Sequence, residues 1–219
     1  NCARMLPIQS LTKRALISRA VLREIVRRAA AVWSAAAPIR FREVDDAEQA
    51  DIAIGAQDGA RGVAFTNVSR DDRGGPVSPL TKATICLDPS ERWSAGFDGD
   101  PRTYDLPRVL VHELGHAIGL DHQGRDTGIM GYAYIEQRDI ALAPTDIAAL
   151  TRLYGPPASR PNSYAKRITT DTPPSSHPAN GAAPRVCRSQ RSRGSGVRTQ
   201  HHIHNEEGAQ PIGRTPFSF

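Results

Sequence analysis

Three histidines and a glutamate stand at metal-binding spacing within one short stretch of the chain. The string HELGHAIGLDH covers residues 112–122 and contains His112, Glu113, His116 and His122. Residues four apart on a helix share one face, so His112 and His116 are predicted to offer imidazole nitrogens to a single ion. Zn²⁺ accepts such nitrogens, and a catalytic zinc site combines three protein ligands with one water. The spacing therefore predicts a zinc site whose first two ligands are these histidines.

A third ligand requires the helix to end soon after His116. Gly119 supplies the break, because glycine enters positive φ without the cost of about 1–2 kcal/mol that other residues meet there. His122 follows three residues later and is the predicted third ligand. Glu113 need not bind the ion and is predicted to act as general base on the water. Ordinary surface or core histidines are disfavoured, because the chain has no other histidine before Pro157.

The surrounding sequence predicts three helices and four strands. Asp105 is a plausible N-cap for the helix that carries the first two histidines, and Pro144 suits the first turn of the last helix. Apolar periodicity and breaker residues set the other limits. The predicted helices cover 18–36, 105–120 and 144–155, and the predicted strands cover 38–44, 50–56, 62–66 and 83–87.

The composition divides the chain at Pro157. Residues 1–157 hold the periodic apolar segments and are predicted to form one domain. Residues 158–219 are rich in Pro, Ser, Gly and Arg and are predicted to be a disordered basic tail. The tail has nine Lys and Arg against three Asp and Glu, so it holds a net charge of +6 and the rest of the chain sums to −1. The predicted domain thus shows no electrostatic sign of binding nucleic acid or membranes. For HHIH (201–204), a solvated linker is favoured over binding of anionic polymers or metal.

The cysteines and the apolar runs exclude two further classes. Cys2, Cys86 and Cys187 are too few and too scattered for a disulfide framework or a cysteine zinc site. No stretch is long and apolar enough to span a membrane. No signal peptide is visible in a chain that begins at Asn1.

The extended pattern HExxHxxGxxH is the metzincin signature, and residues 20–157 resemble the catalytic domain of the matrixin (matrix metalloproteinase) family. Further similarity lies in AVWSAAAPIRFREV (31–44), ADIAI (50–54), LDPSERW (87–93) and LAPTDIAALTRLYGPP (142–157). The resemblance implies an α+β zincin fold. It comprises a twisted, mainly parallel mixed β-sheet, a long N-terminal helix, an active-site helix and a small C-terminal subdomain ending in a helix.

The same resemblance implies the activity. It indicates a secreted, monomeric zinc endopeptidase that hydrolyses peptide bonds in proteins through a zinc-bound water activated by Glu113. A protein or peptide substrate is expected to pair with an edge strand, 62–66 or less favourably 83–87, and 131–143 to shape the specificity pocket through Tyr132, Tyr134 and Ile135. The alternative is a non-catalytic zincin-fold module that binds peptides.

The resemblance also assigns a methionine turn beneath the metal. GIMGY supplies Met130, eight residues after His122, and Asp146 matches the acidic residue that braces this turn. Tyr132 leaves two interpretations open, a switchable fifth ligand or, favoured, a wall of the specificity pocket.

The chain departs from the family in its other metal sites. No histidine precedes His112, so no second zinc is predicted, and Cys86 is expected to be a small buried hydrophobic residue. Asp88 and Glu91 are spaced as calcium ligands or as two solvated carboxylates, and the sequence favours neither. The latency motif PRCGxPD is absent, and Cys2 does not replace it.

Overall fold

The computed structural model describes residues 4–58, 62–71, 79–123, 128–135, 137–157 and 164–170, with the backbone alone at Tyr164 and at His201–His202. In chain order its elements are β1 (Met5–Leu6), α1 (Gln9–Ala15), α2 (Arg19–Ala36), β2 (Ile39–Glu43), β3 (Ile52–Gln57), β4 (Ala64–Arg70), β5 (Leu80–Leu87), β6 (Trp93–Ser94), β7 (Tyr104–Asp105), α3 (Leu106–Ala117), α4 (Pro144–Tyr154), β8 (Tyr164–Thr169) and β9 (His201–His202). The three predicted helices and four predicted strands are confirmed with shifted ends, and α1 is an additional short helix.

A seven-stranded sheet organises the molecule. Its strand order is β2-β8-β3-β5-β4-β9, and β1 pairs with β3. The contacts of β8 with β2 and β3, and of β3 with β5, are parallel, whereas β4 runs antiparallel to β5. β6 and β7 form a separate parallel pair. The predicted mixed, mainly parallel sheet is therefore confirmed.

The two long helices pack together against this sheet. Ser18 caps α2 by accepting the N–H of Val21 at 3.2 Å, which satisfies one of the free donors of the first turn. Trp33 is completely buried, and its indole Nε1 donates to the carbonyl of Val111 in α3 at 2.8 Å. This hydrogen bond lies within an otherwise apolar helix–helix contact and fixes the position of α3 along α2. Within the described residues, no helix is long and apolar enough to cross a membrane.

The sheet takes one strand from the segment that the sequence predicted to be disordered. β8 lies between β2 and β3, and its residues pair with β2 from Ile39↔Tyr164 to Glu43↔Ile168. The Arg167 side chain binds the Asp51 carboxylate at 2.9 Å, and Ile168 is 4% exposed. The prediction of disorder is wrong for residues 164–170, and the folded unit extends beyond Pro157. The sequence could not predict β8, because its six residues alternate too weakly in polarity to indicate a strand. They form one only by pairing with strands more than 100 positions away in the chain.

A second correction concerns Cys86. It is completely buried, as predicted, but its sulfur forms a disulfide bond, so it is not simply a small hydrophobic residue. Its partner cysteine lies outside the described residues. Sequence reasoning missed this bond because pairing depends on the distance between the two Cα atoms in the fold.

Candidate metal centre

The metal centre is built on α3. Asp105 caps this helix by accepting the N–H of Arg108 at 3.1 Å, and Pro107 stands in the first turn, where its missing N–H costs nothing. Both histidines of α3 are buried, and their rings are 4.7 Å apart between centroids. One helical turn separates His112 from His116, so the helix alone places two imidazoles side by side.

The end of α3 returns the chain toward these two imidazoles. Gly119 adopts a φ of 98°. Its N–H donates to the carbonyl of His116 at 2.9 Å, and the N–H of Leu120 donates to the carbonyl of Gly115 at 3.0 Å. These two bonds form a Schellman motif, which needs a left-handed residue and therefore favours glycine. The helix break predicted at Gly119 is confirmed, and it returns the chain so that His122 lies beside the first two histidines.

The three imidazoles converge through their Nε2 atoms. The His112–His116 distance is 3.0 Å, and each of these atoms lies 3.3 Å from Nε2 of His122. Zn–N bonds of about 2.0–2.1 Å in a tetrahedral set place the nitrogens about 3.3–3.4 Å apart. Within the part of the chain that the structure describes, this is the one group of three or more His, Cys, Asp or Glu residues that is close enough to hold a metal. The donor set fits Zn²⁺.

Backbone carbonyls orient two of the three ligands. Nδ1 of His112 lies 2.6 Å from the carbonyl of Ile129, and Nδ1 of His116 lies 2.8 Å from the carbonyl of Leu120. A carbonyl only accepts, so both Nδ1 atoms donate and both Nε2 atoms carry the lone pair. Such outer contacts fix the tautomer and the ring orientation that a metal requires.

Glu113 follows His112 in α3 and is 1% exposed. The Thr66 hydroxyl donates a hydrogen bond to its carboxylate Oε2, and the same hydroxyl lies 3.2 Å from the Glu113 backbone carbonyl. Sequence reasoning did not single out Thr66. The only available signal was strand alternation, which puts Thr66 on the same face as Ala64 in the predicted strand 62–66.

Met130 lies beneath α3 and is completely buried. A Cβ atom at Gly115 would lie 2.4 Å from the Met130 sulfur, so the close approach of the methionine requires glycine in the helix. The buried Asp146 carboxylate accepts the backbone N–H groups of Ile129 at 2.9 Å, Met130 at 3.1 Å and Ala143 at 2.9 Å. The turn that contains Met130 is thus tied to the start of α4.

Arg108 provides a buried positive charge near this turn. Burial lowers the pKa of its guanidinium, and Tyr134, Asp105 and Asp146 act in the opposite direction. The Asp146 carboxylate thus supplies part of the negative charge that opposes the effect of burial on Arg108.

The aromatic residues predicted to line the pocket lie in different places. The Tyr132 ring is 4.6 Å from the His122 ring between centroids, and the residue is 38% exposed. The Tyr134 hydroxyl instead accepts the N–H of Asp105 at 2.9 Å, and its ring packs on Tyr104 at 5.5 Å. Tyr132 therefore borders the metal centre, whereas Tyr134 is engaged with the start of α3.

The two predicted calcium ligands, Asp88 and Glu91, lie in the loop between β5 and β6. The Asp88 carboxylate accepts the N–H and hydroxyl of Ser90 at 2.7 and 2.6 Å, and the Asp88 carbonyl accepts the indole N–H of Trp93 at 2.7 Å. These bonds fold the 88–93 loop through its own side chains. Calcium binding by Asp88 and Glu91 stays a prediction.

Comparison with known proteins identifies the class to which this fold and site belong. The matrixin peptidase family model matches residues 6–155, so the chain belongs to the matrixin family. The resemblance seen in the sequence and the metzincin fold are both confirmed. The family uses a catalytic zinc, and the triad of His112, His116 and His122 is in position to bind it.

Individual relatives agree with the family assignment. The chain is 32% identical over 154 residues to macrophage metalloelastase of Rattus norvegicus, an alignment that covers 67% of this chain and 31% of the relative. It is 34% identical over 147 residues to interstitial collagenase of Sus scrofa, covering 64% and 29%. It is 32% identical over 148 residues to metalloendoproteinase 1-MMP of Arabidopsis thaliana, covering 62% and 38%. These relatives support a metalloprotease function, and the chain spans about a third of their length.

Proposed function

We propose that this matrixin domain is a zinc-dependent endopeptidase that hydrolyses peptide bonds in proteins. His112, His116 and His122 hold the ion, and Glu113 is the general base. The observation that carries the proposal is the convergence of three buried Nε2 atoms at tetrahedral zinc spacing, with the buried Glu113 directly after His112 in α3. Zinc in this position supplies a Lewis acid that polarises the scissile carbonyl and lowers the pKa of water to about 7.

Glu113 performs the proton transfers. Its carboxylate takes a proton from the water that attacks the peptide carbonyl and delivers a proton to the leaving amine. Burial at 1% exposure keeps bulk water away from this carboxylate, which strengthens its interactions with charge that develops nearby.

The substrate binds as an extended strand on β4. β4 is the outer long strand of the sheet, it packs on α3, and it contains most of the favoured edge strand 62–66. Support comes from the backbone of His201–His202, which pairs antiparallel with Phe65 and Thr66 at this edge. The less favoured strand 83–87 lies in β5, which pairs with β3 on one side and with β4 on the other. On its outer side β4 pairs only at Phe65 and Thr66, with the two residues of β9, so β4 stays the favoured strand.

The pocket for the substrate side chain lies next to His122. Tyr132 supports this location, because its partly exposed ring contacts the His122 ring at an interplanar angle of 39°. We assign it as a wall of the pocket, and a contact between its hydroxyl and the metal stays a hypothesis. Ile135 is half-buried further along the same segment.

We also propose that the protein is secreted. The disulfide bond at Cys86 supports this, because such bonds persist in oxidising compartments. The monomeric state and the absence of nucleic-acid binding remain predictions from the sequence.

The test uses the full 219-residue chain, because β8 lies beyond Pro157. Cleavage of denatured casein is measured with and without a zinc chelator, beside Glu113→Ala and the control Glu48→Ala, which removes an exposed carboxylate. We expect chelator-sensitive cleavage that zinc restores. Glu113→Ala should keep one zinc and the wild-type circular dichroism while losing most turnover, roughly 100-fold or more.

The non-catalytic peptide-binding module predicts another outcome. In that case, folded wild-type protein carrying one zinc cleaves nothing, and a casein peptide binds equally to wild type and Glu113→Ala. Wild-type cleavage rates in Glu113→Ala would instead refute the assignment of the base.

A further inference from the structure

We propose that Thr66 is a positioning residue for Glu113, holding its carboxylate in one orientation. The inference rests on the proposed endopeptidase function and deepens it. Its basis is the buried hydrogen bond that the Thr66 hydroxyl donates to Oε2 of Glu113. The bond joins residues 47 positions apart, so it exists only because β4 packs against α3.

Both partners of this bond are withdrawn from solvent. Thr66 is 3% exposed and Glu113 is 1% exposed. A glutamate side chain has three rotatable bonds, and a buried carboxylate is stable only where donors meet it. The Thr66 hydroxyl is such a donor, and the rotamer that keeps the bond is favoured over the others.

Thr66 is well suited to hold a fixed position. Threonine is β-branched, so its χ1 angle is restricted. Its backbone lies in β4 opposite Ile85 of β5, within a ladder that runs from Ala64↔Leu87 onward. The Thr66 hydroxyl therefore moves little, and its hydrogen bond restricts the motion of the Glu113 carboxylate.

The hydroxyl also touches the helix that carries the metal ligands. Thr66 Oγ1 lies 3.2 Å from the backbone carbonyl of Glu113, in addition to its bond with the carboxylate. This oxygen thus contacts both ends of the same residue. If β4 shifted along α3, the Thr66 hydroxyl would lose both contacts together. The two contacts therefore fix the position of β4 relative to Glu113.

Positioning of this kind affects turnover more than binding. A general base contributes about 10²–10⁴-fold when it is correctly placed, and a misplacement of 1 Å costs up to about 10²-fold. A substrate paired with the backbone of β4 does not need the hydroxyl for that pairing. We therefore expect the KM to stay constant while kcat falls.

The experiment compares Thr66→Val, Thr66→Ser and a control in the full zinc-loaded chain. Valine keeps the shape and removes the hydroxyl, whereas serine keeps the hydroxyl and removes the methyl group. Thr84→Val is the matched control, because it changes a half-buried threonine on the neighbouring strand β5. Each variant is assayed for kcat and KM on one fluorogenic peptide, and zinc content is measured by atomic absorption.

For Thr66→Val we expect a roughly 10- to 100-fold lower kcat with an unchanged KM and one zinc per chain. Thr66→Ser should recover most of the activity, and Thr84→Val should behave as wild type. An unchanged kcat in Thr66→Val overturns the proposal. A serine variant as slow as the valine variant also overturns it, because the hydroxyl would then not be the active element.

A second measurement separates this inference from the proposed function. In proton NMR, the Thr66 hydroxyl should give a slowly exchanging resonance whose chemical shift changes in Glu113→Ala, because the carboxylate is removed while the backbone carbonyl of residue 113 remains. If the wild type cleaves nothing but shows this resonance, the endopeptidase proposal fails and the contact stands. Absence of the resonance in folded wild-type protein overturns the inference, whether or not the protein is active.

Discussion

Truncation of one buried side chain tests whether the segment beyond Pro157 belongs to the fold. Ile168 lies in β8, is 4% exposed and pairs with Glu43 of β2 and Ile52 of β3. Ile168→Ala removes three carbons from a nearly closed site. Large-to-small changes of this kind cost about 2–5 kcal/mol. In a domain of this size, each kcal/mol lowers Tm by about 2–4 °C, so the expected shift is about 4–20 °C.

The assay is thermal unfolding of the full zinc-loaded chain, followed by circular dichroism and repeated in urea. Ile147→Ala is the control, since Ile147 is 40% exposed on α4 and its truncation should cost about 0.5 kcal/mol or less. If residues 158–219 were disordered throughout, Ile168→Ala would be equally harmless. Equal Tm values for the two variants would therefore refute the placement of β8 in the sheet.

Two further predictions concern an ion pair and a helix contact. Burial raises the pKa of Asp51, but hydrogen bonds and charge from Arg167 outweigh it, so the pKa lies below its usual value. The resulting stabilisation is present above the unfolded pKa of about 3.9 and is lost as the pH falls through the lower folded value. In urea unfolding, the stability gap between wild type and Asp51→Asn should therefore narrow below about pH 4, and a gap that widens in acid would contradict the pairing. Gly115→Ala places a Cβ atom 2.4 Å from the sulfur of Met130. The same atom would lie 2.8 Å from the ring of Trp33. Overpacking of about 1–3 kcal/mol, less the roughly 1 kcal/mol that alanine gains over glycine inside a helix, gives an expected loss of about 0–2 kcal/mol in thermal unfolding. A gain in stability of about 1 kcal/mol would show that Met130 and Trp33 do not pack there.

The β8 strand also changes how the domain is delimited. The family model ends at residue 155, yet β2 pairs with β8 along its whole length. Removal of the residues after Pro157 would leave the backbone hydrogen-bonding groups of β2, and those of β3 that pair with β8, without their partners. If residues 1–157 alone were inactive, the result would not distinguish an unfolded domain from a folded domain that lacks catalytic activity.

The sequence by itself determined the histidine triad, since the spacing of its three residues is local. Helical geometry alone brings His112 and His116 together, and a glycine at the helix end is enough to return His122. The approximate limits of α2, α3 and α4 were also predictable, because capping residues and apolar periodicity act within a few positions. The resemblance to the matrixin family was visible in the same short motif and in similar segments elsewhere in the chain, such as 31–44 and 142–157.

Only the tertiary structure decided the contacts between distant parts of the chain. Thr66 meets Glu113 across 47 positions, and β8 reaches β2 across more than 100. The disulfide at Cys86 is of the same kind. Each depends on strand order and on the packing of sheet against helix, and these arise from summed burial over the whole core rather than from any local pattern. A six-residue strand or a single threonine has no periodicity of its own, so its place is set by the partners that surround it.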